Sequence, residues 1–358
     1  MSADVSDRLL PVAHRVTMAG KLKIGVLFDR WEPEEAEPPT NGKAPLVRTL
    51  DKKEVEDEVA DTLTKLDHEP VLHKLDGTVK SLHAAARLDC DLIFNLTESF
   101  AGNDTADFNI AAYLELVGKR ITGAGSHGLM LAQDKAVAKK IFAFHGIHTP
   151  VFARSFRGRL AFSHDLHFPV IVKPAREDGS IGIEFNAVVS SIKELMERID
   201  WLHEQFDAPV LIEEYVEGRE MYVGVLGNEN PEALPVIELD LSKLPDGIPR
   251  IAAAEVKWAK GTAAYRDAKT LVPTDLSEET TALLQQTAVA AYQALELRDY
   301  GRVDMRLTPE GKVYVIEVNP NPWLASRAEL AQAARKAGRT YPQLVEEIVD
   351  RAMARYAR

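Results

Sequence analysis

The chain has almost no cysteine: a single one, Cys90, among 358 residues. A lone thiol cannot close an internal disulfide, so packing has to hold the fold. At the start of the apolar run in Leu88-Asp89-Cys90-Asp91-Leu92-Ile93-Phe94 it reads as a core residue, in keeping with a reducing compartment. No stretch is apolar for long enough to cross a bilayer, and the N-terminus lacks the uninterrupted apolar region of a secretory signal. Both absences point to the cytoplasm and away from a membrane partner. Positive charge is also scarce. The formal balance is −12 and no Lys/Arg stripe is interleaved with aromatics, which excludes a nucleic-acid groove, because phosphate backbones need a basic field.

What is present is a long alternation of apolar runs and amphipathic stretches, enough for two or three packed units. Residues 1 to about 20 have no sustained period and read as a loose tail. Lys21 to Asp29 reads as a buried strand, and Trp31 to Pro39, rich in proline and acid, as a loop. A helix from Glu54 to Leu66, a strand from Glu69 to His73, a helix from Val79 to Arg87 and a strand from Asp91 to Asn95 then imply a parallel α/β sheet. A helix is expected from Gly128 to Ala143. After Pro150 a second unit carries two apolar strands around a Gly-rich turn and a helix from Ser191 to Glu204. Strands follow at 210–215 and 221–226, then a helix from Ser277 to Leu295, a strand pair at 301–318 and a helix from Tyr341 to Tyr356.

The strand pair is the most informative segment. Tyr300-Gly301-Arg302-Val303-Asp304-Met305-Arg306-Leu307 and Lys312-Val313-Tyr314-Val315-Ile316-Glu317-Val318-Asn319 flank the turn Thr308-Pro309-Glu310-Gly311, which predicts an antiparallel hairpin. Strand alternation puts Arg302, Asp304 and Arg306 on one face and Glu317 with Asn319 on one face of the partner. Two carboxylates and a carboxamide brought together in an apolar sheet would repel and lose hydration unless a hard cation lay among them. Oxygen-only donors suit Mg2+ that also holds phosphates. Solvated surface charges are the plainer alternative, but Val318-Asn319-Pro320-Asn321-Pro322 would then be an odd way to end a strand.

This hairpin resembles that of the ATP-grasp enzymes, in their D-alanine–D-alanine ligase-like branch, and the resemblance runs from about residue 21 to 350. It implies an N-terminal Rossmann-like parallel-sheet domain and two α+β subdomains that clasp ATP. The expected boundaries are 1–20 (tail), 21–126, 127–207 and 208–358. It further implies that Asp304, Glu317 and Asn319 hold two Mg2+ ions, with Mn2+ able to replace them, and that Arg302 steadies the oxyanion of a tetrahedral intermediate. Lys173, in Pro169-Val170-Ile171-Val172-Lys173-Pro174, resembles one phosphate-contacting lysine, and Lys135, after Asp134, the other. Lys139 and Lys140 read as a solvated helix face. The turn Arg176-Glu177-Asp178-Gly179-Ser180-Ile181-Gly182 resembles the loop that covers the triphosphate, with Gly179 and Ser180 donating to it. Val210-Leu211-Ile212-Glu213-Glu214-Tyr215-Val216-Glu217-Gly218-Arg219-Glu220 is similar to the inter-domain segment that meets adenine through Glu213, Glu214, Tyr215 and Val216 and the ribose through Glu220. Lys257, in the lid-like stretch 254–265, is a candidate γ-phosphate contact.

The sequence departs from the family pattern around the substrates. Trp258 stands where a tyrosine is usual and offers no hydroxyl. Gly179 replaces a serine, and Glu98 with Ser99 replaces a His-Gly pair, so that Glu98 could hold an ammonium group. Trp323 replaces a glycine beside Asn321, and Ala328-Glu329 replaces a Ser-Leu donor pair. The expected activity is therefore an ATP-dependent carboxylate–amine ligase that works through an acyl-phosphate, as an amino-acid or dipeptide ligase with an acceptor other than D-alanine. A D-alanine–D-alanine ligase of cell-wall synthesis is one alternative; a non-catalytic ATP-binding protein is another. Small-molecule acid and amine substrates and a homodimer are the expected partners.

Overall fold

Parallel strands cannot be joined by a tight turn, so the α/β alternation of the first unit forces the chain back through helices. In the computed structural model Lys23–Asp29 lies between Glu69–Leu75 and Leu92–Asn95, parallel to both, and the helices Val55–Lys65 and Val79–Ala86 make the returns. Ile24 and Val26 enter one apolar core and Leu27 another, as expected for a strand covered on both faces. The described residues are 20–30, 54–156, 159–161 (backbone only), 166–177, 179–206 and 208–357. The expected tail up to residue 19 and the Pro-rich loop at 31–39 lie outside them. Cys90 packs against the edge of the core and is half-buried, less enclosed than a core residue.

Two antiparallel sheets build the rest. One runs Arg159–Ala161, Phe152–Phe156, Val210–Glu214, Val170–Pro174, Val188–Val189, and the helix Ile192–Gln205 covers it. The other runs Lys269–Leu271, Ile237–Asp240, Arg219–Leu226, Tyr300–Leu307, Val313–Asn319, with the helix Glu278–Ala294 packed behind. Val210–Glu214 ends one sheet and Arg219–Leu226 begins the other, so the segment between them is where the two sheets meet.

The helix expected from Gly128 to Ala143 is two helices, Gly125–Gln133 and Lys135–Phe144. Asp134 breaks the run. Its extended backbone (ψ 94°) ends the first helix, and its carboxylate accepts from the amides of Ala136 and Val137 to start the second. The apolar period continues across the break, which is why periodicity reads one helix. Among the described residues no helix is long and apolar enough to cross a membrane.

The helix Tyr341–Tyr356 opens with a reciprocal capping box between Thr340 and Gln343 and buries Leu344, Val345, Ile348, Val349, Ala352 and Met353. On its outer side Asp350 is half-buried beside Glu346 and Glu347. Burial, and then these two like charges, push its carboxyl up to about 6. A raised acid stabilises the fold while protonated and loses that contribution as pH rises through 6. Asp350→Asn is therefore expected to raise the thermal midpoint by about 1–2 °C at pH 7.5 and to leave it unchanged at pH 4, as read by calorimetry.

Candidate active site

In the hairpin Asp304 lies opposite Glu317 and Arg302 opposite Asn319. Further along, Met305 faces Val315 and Arg306 faces Tyr314, so Ile316 is a surplus residue, a β-bulge. Alternation places Val313 and Val315 in the core; the bulge then resets it, and both Ile316 and Glu317 turn towards the cleft. This cleft, of about 580 Å³ and open to solvent, lies between the two antiparallel sheets. Of the residues expected at the site, Lys173, Ser180, Glu213, Glu214, Tyr215, Val216, Glu220, Lys257, Asp304 and Glu317 line it.

Positive charge is concentrated under the acids. Lys135 Nζ lies 3.3 Å from Glu317 and donates to the Glu177 carbonyl. Burial alone would raise the Glu317 carboxyl, but Lys135, Lys173, Lys257 and Arg302 outweigh it and hold it at about 2. At Asp304 burial wins over Arg302, and with the charge of Glu317 it pushes the carboxyl up to about 6. One of these facing acids is thus an anion at any working pH, while the other is kept charged only at a cost. A cation between them would offset that cost. On the same face Asn319 Nδ2, an N–H donor, is buried without a hydrogen-bond partner; what it lacks is an acceptor, such as a phosphate oxygen, while its Oδ1 is the atom that could ligate a cation. Among the described residues no group of three or more His, Cys, Asp or Glu side chains is arranged so that it could hold a metal ion by itself. The donors are therefore two carboxylates, a carboxamide and whatever oxygens a ligand brings, a set that fits Mg2+.

Lys139 is a correction to the sequence reading, which placed it on a solvated face; Lys140 is exposed as expected. Lys139 is fully buried, 2.9 Å from Glu213, whose other oxygen is 2.8 Å from Lys173. Burial lowers the Lys139 ammonium to about 8 against the pull of Glu213. Its Nζ also donates to Thr149 Oγ1 at 2.7 Å, and that hydroxyl donates to the Val315 carbonyl of the hairpin. Glu220, on the strand beside the hairpin, pairs with Arg306 at 2.9 Å. Sequence reasoning missed these partners, and also the apolar walls Ile171, Ile183, Ile251 and Ile316, because each depends on contacts between distant segments.

Two loops close over the site. Gly179 and Ser180 both have positive φ (63° and 64°), which turns the loop back on itself. Ser180 Oγ donates to the Ala252 carbonyl at 2.6 Å, and Trp258 Nε1 donates to the Gly179 carbonyl at 2.7 Å. The tryptophan thus ties the lid-like stretch to the turn without a hydroxyl. That stretch opens with the short helix Ala254–Lys257 and runs into a second, Ala263–Asp267. Of the other expected residues, Lys135, Gly179, Trp258, Arg302 and Asn319 stand beside lining residues without lining the cleft themselves, and Glu98, Asn321 and Trp323 do not line it. Asn321 joins units instead: its amide donates to the Thr97 carbonyl and accepts from the Tyr300 hydroxyl, while Asp29 accepts from the Glu98 amide and the Ser99 hydroxyl. Trp323 lies under Arg327, 4.7 Å from its guanidinium carbon.

Removing one partner from a buried charge cluster leaves the remaining charge uncompensated. Lys139→Met is accordingly expected to lower folding stability by about 3 kcal/mol in urea unfolding, well beyond the loss from an exposed lysine such as Lys140.

Comparison with known proteins agrees with this geometry. Residues 152–350 match the family model described as D-ala D-ala ligase C-terminus. The chain is 33% identical over 309 residues to the protein y4sG of Sinorhizobium fredii, covering 84% of this chain and 88% of that one. It is 35% identical over 269 residues to the D-alanine–D-alanine ligase of Halalkalibacterium halodurans, covering 74% and 82%. Its fold is similar to that of the D-alanine–D-alanine ligase from Bacillus anthracis complexed with ATP, with a TM-score of 0.70, 23% identity and coverage of 93% and 98%. By sequence over more than half its length, and by fold over nearly all of it, the chain belongs to the D-alanine–D-alanine ligase family of ATP-grasp enzymes.

Proposed function

We propose that the protein joins the carboxylate of an amino acid or related acid to an amine other than D-alanine, with ATP converting the acid to an acyl-phosphate. The observation that carries this reading is the facing pair Asp304 and Glu317 in the cleft between the two sheets, with Lys173 and Lys257 lining the same cleft and Lys135 and Arg302 adding their charge to that of the pair. The apolar walls Ile171, Ile183, Ile251 and Ile316 suit a nucleobase, and Glu220, paired with Arg306 in the same cleft, is the residue we assign to the ribose.

In the first step a carboxylate oxygen attacks the γ-phosphorus and the bond to the β-phosphate oxygen breaks, leaving ADP. Lys173 and Lys257 sit where they offset charge on the transferred group, and Lys135 keeps Glu317 ionised. In the second step the amine nitrogen attacks the acyl carbon, the bond between that carbon and the phosphate oxygen breaks, and inorganic phosphate leaves with the proton that the nitrogen gives up. We assign to Arg302 the role of steadying the oxygen that gains charge in between. Asp304, Glu317 and Asn319 would hold Mg2+, which when bound neutralises phosphate oxygens. The Trp258–Gly179 contact keeps the lid over the turn and limits the access of water to the acyl-phosphate.

A screen of acid and amine pairs for magnesium-dependent phosphate release, with products weighed by mass spectrometry, tests the reading. Amide products from some pair are expected, with D-alanine alone a poor substrate; rapid D-alanyl-D-alanine synthesis would overturn the acceptor assignment. Glu317→Gln is expected to cut turnover by about a hundredfold or more while the unfolding midpoint stays near that of the parent. A variant with near-parental rate would contradict the metal assignment.

A further inference from the structure

Arg302 has its charge matched before any substrate arrives. Its Nε and Nη2 donate to the two oxygens of Asp304 at 2.7 and 2.8 Å, Nη1 donates to Glu329 at 3.3 Å, and its face lies 5.1 Å from the centre of the Tyr222 ring. Asp304 is sealed at 3% side-chain exposure, whereas Glu329 keeps 26% and is the most open of the three charged groups. The placement of Glu329 is built into the fold. It is the first residue of the helix Glu329–Lys336, and the next residue, Leu330, seats that helix on Gly224. Gly224 lies directly across the strand pair from Arg302, and a Cβ there would come within 2.5 Å of Leu330.

On the ligase reading, the amine reaches the acyl carbon beside Arg302. An α-amino acid would bring a carboxylate to this spot, where one guanidinium already faces two carboxylates. If cations draw Asp304 towards phosphates, Glu329 still remains as counter-ion. A second anion would have to displace Glu329 or sit against it, and juxtaposed like charges weaken binding. We infer that the acceptor is a primary amine with no carboxylate beside its nitrogen. In place of the carboxylate it presents a hydrogen-bond donor, an amide or hydroxyl, to Glu329, and Glu329 is the residue that sets this preference. The inference rests on the ligase reading and narrows its acceptor.

The test separates the two. Acids are first screened with Mg-ATP and hydroxylamine, a small amine with no carboxylate that traps an acyl-phosphate as a hydroxamate. If no acid gives a hydroxamate, the ligase reading fails and the inference with it. With an activated acid, matched acceptors that differ only in the carboxylate are compared: glycine with glycinamide, alanine with alaninamide and serine with serinamide, in both hands where chiral. The amides are expected to lead by about tenfold or more in kcat/KM, mostly through KM. Glu329→Gln, which keeps size and helix position, should narrow that ratio by about tenfold while hydroxamate formation continues. Glu329→Ser should do the same and so guards against a special effect of the carboxamide. If no amide outruns its amino-acid counterpart, or if both variants keep the ratio of the parent, the inference falls while the ligase reading stands.

Discussion

A buried carboxylate shared by two buried lysines is the constraint on which the site depends. Glu213 lies between Lys139 and Lys173, with all three side chains almost fully withdrawn from water. Removing three charges from water in this way is tolerable only if the geometry keeps them together. The geometry comes from three separate elements: a helix that Asp134 starts afresh, a strand ending at Pro174 and the neighbouring strand ending at Glu214. From Lys139 the chain of contacts continues through the Thr149 hydroxyl to the Val315 carbonyl, one residue from the bulge. The helix that carries Lys139, the sheet that carries Lys173 and Glu213, and the hairpin that carries the acids are thus linked by this polar path, beside the Lys135–Glu317 ion pair.

That path explains the balance of charge in the cleft. The chain is acidic overall, yet Glu317 is surrounded by cations and stays ionised, while Asp304, one residue across the ladder, is pushed towards its neutral form. Their difference arises from position, because both are carboxylates in the same sheet. Lys135 reaches one of them, and Arg302 lies on the other. A polyanion bound here would find cations already fixed in place, with little reorganisation left to make.

How much of this the sequence discloses depends on the distance over which each feature is determined. The hairpin was legible because its turn, its alternation and its acids lie within twenty residues or so, and the facing of Asp304 and Glu317 follows from them. The bulge was not, since Val313 to Asn319 is apolar enough to hide one surplus residue. The break at Asp134 was concealed by an apolar period that runs through it. Lys139 looked like a solvated lysine because nothing nearby shows a partner; its partners, Glu213 and Thr149, come from other elements. Glu329 was visible as a departure from a pattern, but its contact with Arg302 depends on Gly224 admitting Leu330, a matter of packing that no spacing encodes.

The bulge at Ile316 has one more effect. A surplus residue contributes nothing to the ladder pairing of its neighbours, so the side chain at 316 can change without moving Glu317 off its partner. The hairpin therefore puts an apolar wall of the cleft and a charged group on adjacent residues, and a change of shape at the first leaves the second where it is.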